Sequence, residues 1–245
     1  EHRTRGMISE EIGVCYKIMN ELVSAREWYQ KALDVFTEEN DVQGVGNVQR
    51  DFGLSYLYEE DYETALNWLT QSKQTLNQLP PSASLGITIT KIGAVKRAQH
   101  NFEEAEQYIL QGLEIIRGAQ DLDSFMEMTT LLELGAVYFY TADYQEGIDR
   151  LREALAVLIE NDQLDQQVRR VGEIYVSLTW CYLKQGRIEQ SVSSFIKAMK
   201  AWESMDAETT QLVIEKSKVE DLIDSIETAD AALGDVVRAA YEDIL

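Results

Sequence analysis

The chain has 245 residues, 45% of them hydrophobic and 27% charged, the profile of a soluble globular protein with room for one large core or two ordinary domains. Two prolines against 14 glycines in a chain of this length favour a mainly helical fold. Lys and Arg number 22 against 43 Asp and Glu, and the net charge of −21 argues against nucleic acid as a ligand of this domain, because phosphate binding needs a basic surface.

Two cysteines, Cys15 and Cys181, cannot make a disulfide framework, and a Cys-poor helical chain has a cytoplasmic look. No run of about 18 apolar residues exists, so no membrane span is expected. The N-terminus, Glu1-His2-Arg3-Thr4-Arg5-Gly6, carries neither an initiator Met nor the apolar stretch of a signal peptide. A missing domain holding further activity is therefore left open.

Along the chain, one short pattern recurs. It reads Ile12-Gly13-Val14-Cys15-Tyr16, then Phe52-Gly53-Leu54-Ser55-Tyr56, then Ile92-Gly93-Ala94-Val95-Lys96, then Leu134-Gly135-Ala136-Val137-Tyr138. Successive glycines stand 40, 40 and 42 residues apart. Twelve positions after each Gly comes a small residue (Ala25, Ala65, Ala105, Gly147), and sixteen after it a bulky one (Tyr29, Leu69, Ile109, Leu151). At position nineteen a second small residue follows: Ala32, Ser72, Gly112, Ala154. A fifth copy fits Leu178 and Thr179, with Thr179 in the Gly slot and Tyr182, Gly186, Ser191, Phe195 and Ala198 after it.

Each copy reads as two antiparallel helices, with small residues letting the backbones approach and bulky ones filling the space beside them. Polar turns at 60–62, 100–102, 142–144 and 185–188 separate the two helices of a copy. Breaks at 38–41, 79–82, 118–121 and 161–163, rich in turn and N-cap residues, separate the copies. Past Met205 the pattern fades, yet 207–226 and 229–244 still read as helices. One has an apolar stripe of Leu212, Val219, Leu222, Ile223 and Ile226; the other has Leu233, Val236, Val237, Ala240 and Ile244. This acidic pair, with 12 acids against 3 bases over residues 201–245, suits a solvated terminal cap.

These slots resemble the tetratricopeptide repeat, whose pattern runs Leu-Gly, Tyr, Gly, Tyr, Ala, an aromatic and Ala. The spacing is longer than the common ~34 residues, Lys96 stands where Tyr is usual, and the closing Pro is missing except near Pro80. The long-spaced form is similar to spindle-orientation adaptors, kinesin light chains and bacterial peptide-pheromone receptors. The resemblance implies an all-α fold: a right-handed superhelical solenoid of antiparallel helix pairs. Five repeats would occupy 1–204 and a capping helix pair 205–245. It further implies that the first helix of each repeat lines a concave groove.

The groove stripe lies at positions −6, −3, +1, +4 and +5 from each Gly, one face of a helix. It holds Leu54, Leu57, Tyr58, Phe139, Tyr140, Trp180 and Leu183, with the cations Lys17, Arg50, Lys91, Arg97 and Lys184 among them. Ile18, Ala98 and Glu10 occupy further slots of the same stripe. An apolar strip with a few cations suits a peptide or an amphipathic helix, with Arg50, Arg97 and Lys17 selecting against basic ligands. Chaperone-binding repeats of this type grip a terminal carboxylate with Asn at position +1 and Lys or Arg at neighbouring groove slots. No copy carries that Asn, so that clamp is not assembled.

No catalytic constellation is expected. His2 and His100 lack companions at metal-ligand spacing, and no phosphate-loop, dinucleotide or nucleophile-elbow segment occurs. Cys15 and Cys181 share position +2 and read as buried structural thiols. No cofactor or metal is expected, and the oligomeric state stays open. The leading expectation is a non-enzymatic scaffold for a protein or peptide partner. The alternative is a peptide-sensing or regulatory domain cut from a larger bacterial signal-transduction or transcription regulator, although these residues contain no helix-turn-helix. The acid surplus is uneven, with 11 acids and 2 bases over 101–150. A negative outer face around Glu103, Glu104, Glu106 and Glu114 follows, either solubilising or open to a basic partner.

Overall fold

The computed structural model describes residues 2–205 and 216–242. Among them are twelve α-helices and no strand. In chain order they are α1 (His2–Ile18), α2 (Leu22–Glu38), α3 (Val42–Tyr58), α4 (Tyr62–Leu76), α5 (Ala83–Ala98) and α6 (Phe102–Gly118). There follow α7 (Ser124–Tyr140), α8 (Tyr144–Glu160), α9 (Val168–Lys184), α10 (Ile188–Glu203), α11 (Lys216–Ala229) and α12 (Ala231–Glu242). The chain falls into two compact units, Glu1–Thr130 and Leu131–Leu245, whose boundary lies within α7.

In the first unit α1 packs on α2, α3 on α4 and α5 on α6, with α2 against α3 and α4 against α5 between repeats. The turn inside each pair is built the same way. Backbone N–H groups of Glu21, Asp61 and Asn101 donate to the carbonyls of Tyr16, Tyr56 and Lys96 at 2.9, 3.0 and 2.9 Å. This six-residue closure requires one left-handed residue, supplied by Asn20, Glu60 and His100 at φ of 61°, 60° and 62°. The fifth repeat places Gly186 there at 71°, the residue type that meets this requirement without strain. Helix starts after the breaks between copies are capped by side chains: Asp41 accepts from the Gly44 N–H at 3.0 Å and Ser82 from the Leu85 N–H at 3.3 Å.

The Gly slot works by close approach. A Cβ added at Gly13, Gly53, Gly93 or Gly135 would come within 2.5 to 2.9 Å of Tyr29, Leu69, Ile109 and Leu151, the bulky residues sixteen positions later. Behind them, the carbonyls of Ala25, Ala65 and Ala105 lie about 3 Å from the same point. The small residue at position twelve is thus where the second helix backbone leans on the first. In the fifth repeat both Thr179 and its partner Ser191 are fully buried, and the Ser191 hydroxyl donates to the Thr179 carbonyl at 3.1 Å. A hydrogen bond there takes the place of backbone contact.

The departure at position 96 has a local cause: the Lys96 ammonium meets Glu104 of α6 at 2.7 Å. Glu103, Glu104 and Glu114 are exposed on α6, while Glu106 is half-buried and Ile109 is fully buried on the other side. The expected acidic face is present, with Glu104 of it paired to Lys96.

In the second unit α8 packs on α9, α9 on α10, and α12 on both α10 and α11. Val219, Leu222, Ile223 and Ile226 of α11 join Phe195, Met199 and Trp202 of α10 in one core. One expectation for this end changes. Val236 is 46% exposed, and Tyr241 takes the buried position instead, because Val237 and Tyr241 are one helical turn apart and join the core of α10 and α11. Leu212 and Ile244, and the expected helix over 207–215, lie outside the described residues. A second correction concerns Cys15, which is exposed, whereas Cys181 at the same slot is buried. Position +2 faces the helix before it, and α1 has no earlier helix against it in the structure.

Gly93→Val should cost at least about 2 kcal/mol through overpacking against Ile109 and the Ala105 carbonyl. Gly118, with nothing within 4 Å of an added Cβ, should accept Ala with a change below about 0.5 kcal/mol. Urea unfolding followed by far-ultraviolet circular dichroism distinguishes the two, and an equal midpoint for both variants would refute the close-approach account.

Candidate functional site

In the first unit the stripe predicted to bind lies along α1, α3 and α5. Tyr58 is 65% exposed and Ile18, at the same slot one repeat earlier, is 60% exposed. Leu54 and Leu57 are half-buried, and Leu57 packs against the core of Ala65, Leu69, Ile92 and Val95. Position +4 leans into the gap between helices, whereas position +5 points away from it.

The cations differ from the sequence reading. Lys17 of α1 reaches Asp51 of α3 at 3.3 Å, with side chains only 12% and 8% exposed. Arg50 Nη1 donates to Asn47 Oδ1 at 3.0 Å. Lys91 and Arg97 are half-buried, and neither is a free cation. Lys17 therefore neutralises a buried carboxylate of the next repeat before it can repel a basic ligand.

Around this ion pair sits a cluster that the spacing alone does not reveal. Glu10 of α1 is half-buried, and among the described residues it makes no hydrogen bond. Burial, aided by the charge of Asp51, raises its carboxyl from the ordinary value to about 7, with Arg50 and Lys17 opposing weakly and Glu11 adding. Tyr29 of α2 is fully buried, its hydroxyl without a hydrogen-bond partner. Burial and the nearby carboxylates of Asp51 and Glu10 push the Tyr29 phenol upward. Glu10 was legible as a slot of the stripe. Asp51, at position −2, would have been found by pairing each position +4 with position −2 of the following repeat.

The second unit holds the rest. Tyr140 is 55% exposed, and its ring lies edge-on to Phe139 at 5.7 Å, while half-buried Phe139 also meets Tyr144 at 5.8 Å. Trp180 and Leu183 are half-buried and pack against the core shared by α10, α11 and α12. Exposed Lys184 places its ammonium 5.9 Å from the centre of the Trp180 ring. Of the aromatic strip, the open members are thus Tyr58 and Tyr140, at the same slot of two repeats, while Trp180 and Leu183 are chiefly packing residues.

Chemistry is sparse elsewhere. Burial pushes the Cys181 thiol up to about 12, which suits an inert structural thiol. Among the described residues no group of three or more His, Cys, Asp or Glu is arranged to hold a metal ion. None of the described helices is long and apolar enough to cross a membrane.

The model of the tetratricopeptide repeat matches residues 5–78 and 85–160, well over half of the chain. The chain belongs to the tetratricopeptide repeat family. Tetratricopeptide repeat protein 29 of Macaca fascicularis is 30% identical over 131 residues, which cover 53% of this chain and 27% of that protein. The chain thus spans about a quarter of the relative's length. Among solved structures, a Rap protein complexed with competence and sporulation factor matches with a TM-score of 0.72 at 14% identity, over 98% of this chain and 74% of that one. BtubC from P. vanneervenii matches with a TM-score of 0.70 at 14% identity, covering 93% and 89% of the two chains. These likenesses identify the fold as a tetratricopeptide-type helical solenoid, a fold that generally serves as a protein–protein interaction scaffold.

Glu10 makes the fold sensitive to pH with a definite sign. Below about 4.5 its carboxyl is protonated in folded and unfolded chains alike; between there and about 7 only the folded chain keeps the proton, so stability falls as pH rises. Glu10→Gln should therefore be more stable than the parent at pH 8, by on the order of 2 kcal/mol, and equal to it at pH 4. Urea midpoints at the two pH values check this, and a destabilised variant at pH 8 would refute the burial of an ionised Glu10.

Proposed function

We propose that this repeat domain is a non-enzymatic scaffold that binds a peptide or an amphipathic helix of a partner protein on the face made by the first helices of its repeats. The observation carrying it is that position +5 exposes Tyr58 and Tyr140 while the other residues of α7, and those of α3 apart from Gln43, are buried or half-buried. Large aromatic side chains left in solvent at a repeating slot are costly unless something covers them, and tyrosine combines an apolar face with a polar tip. Leu57 and Phe139 sit one position earlier as half-buried walls beside them. Binding would draw on preformed shape rather than on folding of the receptor.

A second reading, a peptide-sensing domain of a larger regulator, is supported by the likeness to the Rap protein, whose solved structure holds competence and sporulation factor. The two readings share the same face and differ in what is attached to it. A cytoplasmic location suits either.

Partners captured from the native cell by the tagged chain, identified by mass spectrometry, supply the ligand for the test. The double variant Tyr58→Ala, Tyr140→Ala should lose that capture while circular dichroism stays helical, and unchanged capture would remove this face as the binding surface. Raising salt from low to high should leave the complex nearly intact, because aromatic anchors are little screened. Steep loss with salt would instead point to the acidic face of α6.

A further inference from the structure

Two exposed apolar residues of the first repeat break a rule that the other repeats keep. Met19, six positions after Gly13, is 53% exposed, and Val23, ten positions after it, is 65% exposed. The first of these slots holds Glu59, Gln99, Thr141 and Gln185 in the other four repeats, and the second holds Glu63, Glu103, Gln145 and Glu189. The want of an earlier helix accounts for exposed Ile8 and Cys15, whose counterparts Val48 and Ser55 are fully buried against α2. It does not account for Met19 and Val23. Glu59 and Glu63 are exposed although α1 and α2 stand before them, so a helix pair in front of α1 would leave both slots in solvent.

Val23 lines an open depression of about 470 Å³, together with Asn20, Glu21, Leu22, Ser24 and, from the turn of the second repeat, Glu59. That volume is within the range of ligand clefts. Leu22 is buried, while Glu21, Glu59 and the following Glu60 are exposed. The cation at hand is already consumed: Arg26 Nη2 donates to Glu59 Oε1 at 2.9 Å, and its guanidinium lies 4.6 Å from the centre of the Tyr56 ring. Three carboxylates against one guanidinium leave the rim negative. An apolar wall with an acidic rim fits a large apolar side chain flanked by Lys or Arg. Asp or Glu in those flanking positions would meet like charge, and an anionic membrane surface is repelled by the same carboxylates.

We infer that the turn end of the first repeat, Met19 and Val23 with the rim of Glu21 and Glu59, docks a segment of a partner protein in which a large apolar residue is flanked by lysine or arginine. This surface lies beyond the position +5 face, since neither Tyr58 nor Tyr140 lines the depression. Apolar contact supplies the affinity, and the carboxylates select the charge of the partner.

The probe is the peptide acetyl-Lys-Lys-Leu-Leu-Lys-Lys-amide, added to the full chain with its Met and Val methyl groups labelled for NMR. The Met19 and Val23 methyl signals should shift and saturate. A peptide with Gly for both Leu should bind about tenfold more weakly, and one with Glu for every Lys should move neither signal. Val23→Glu separates a built surface from diffuse attraction. It installs the residue type that other repeats carry at this exposed slot, so circular dichroism should stay helical, and it adds negative charge. Diffuse attraction by an acidic chain predicts tighter binding of the basic peptide to this variant; the docking surface predicts binding weaker by about fivefold or more. Unchanged or tighter binding, Met19 and Val23 signals that stay in place, or equal binding of the Glu peptide would each overturn the inference. Co-sedimentation of the chain with phosphatidylcholine–phosphatidylserine vesicles, lost in Val23→Glu, would assign the patch to a lipid surface instead. Tyr58 and Tyr140 are intact in every sample, so failure here leaves the position +5 result standing.

Discussion

The close approach of two helix backbones at one glycine is the constraint on which the structure depends. Because Gly13, Gly53, Gly93 and Gly135 have no side chain, the second helix of each pair can rest its small residue at position twelve on the first, and the bulky residue at position sixteen can seal the gap. That contact fixes which way each first helix is turned about its axis. With position 0 facing the partner helix and position +2 the preceding repeat, position +5 is exposed at Ile18, Tyr58, Tyr140 and Lys184 and half-buried at Ala98.

The same constraint explains how charges are used. With the packed faces fixed, the stripe between successive first helices is narrow, and groups placed there are half-buried rather than solvated. Lys17 and Asp51 answer this by pairing across 34 residues of sequence. Glu10 has no such partner, and burial beside Asp51 raises its carboxyl.

Much of the fold was legible because repeat spacing records helix contacts directly: Gly13 with Tyr29, or Gly93 with Ile109, are contacts between positions of one periodic pattern. The turns were legible as breaks, but their left-handed residues were not, since Asn20, Glu60, His100 and Ala142 share no chemistry. Less of the site could be read. Periodicity places Leu57 and Tyr58 on one stripe but does not say that one leans inward and the other outward, neighbours about 100° apart around the helix axis. It places Lys17 and Arg50 as cations and says nothing of Asp51 and Asn47, which consume them from other positions. Trp180 looked like a ligand anchor by composition; α10, α11 and α12 instead supply a core for it to pack on. Cys15 looked buried because its slot is buried in the inner repeats, a property of the neighbour and not of the residue.

The central claim is that ligands lie on the first-helix face at position +5. Replacing Tyr58, Tyr140 or Leu110 one at a time by the photoreactive residue p-benzoylphenylalanine tests it directly, since Leu110 is also exposed but stands on a second helix, α6. Irradiation of the chain with its captured partner should give covalent adducts from positions 58 and 140 and none from 110. Adducts from position 110, with positions 58 and 140 silent, would contradict the account.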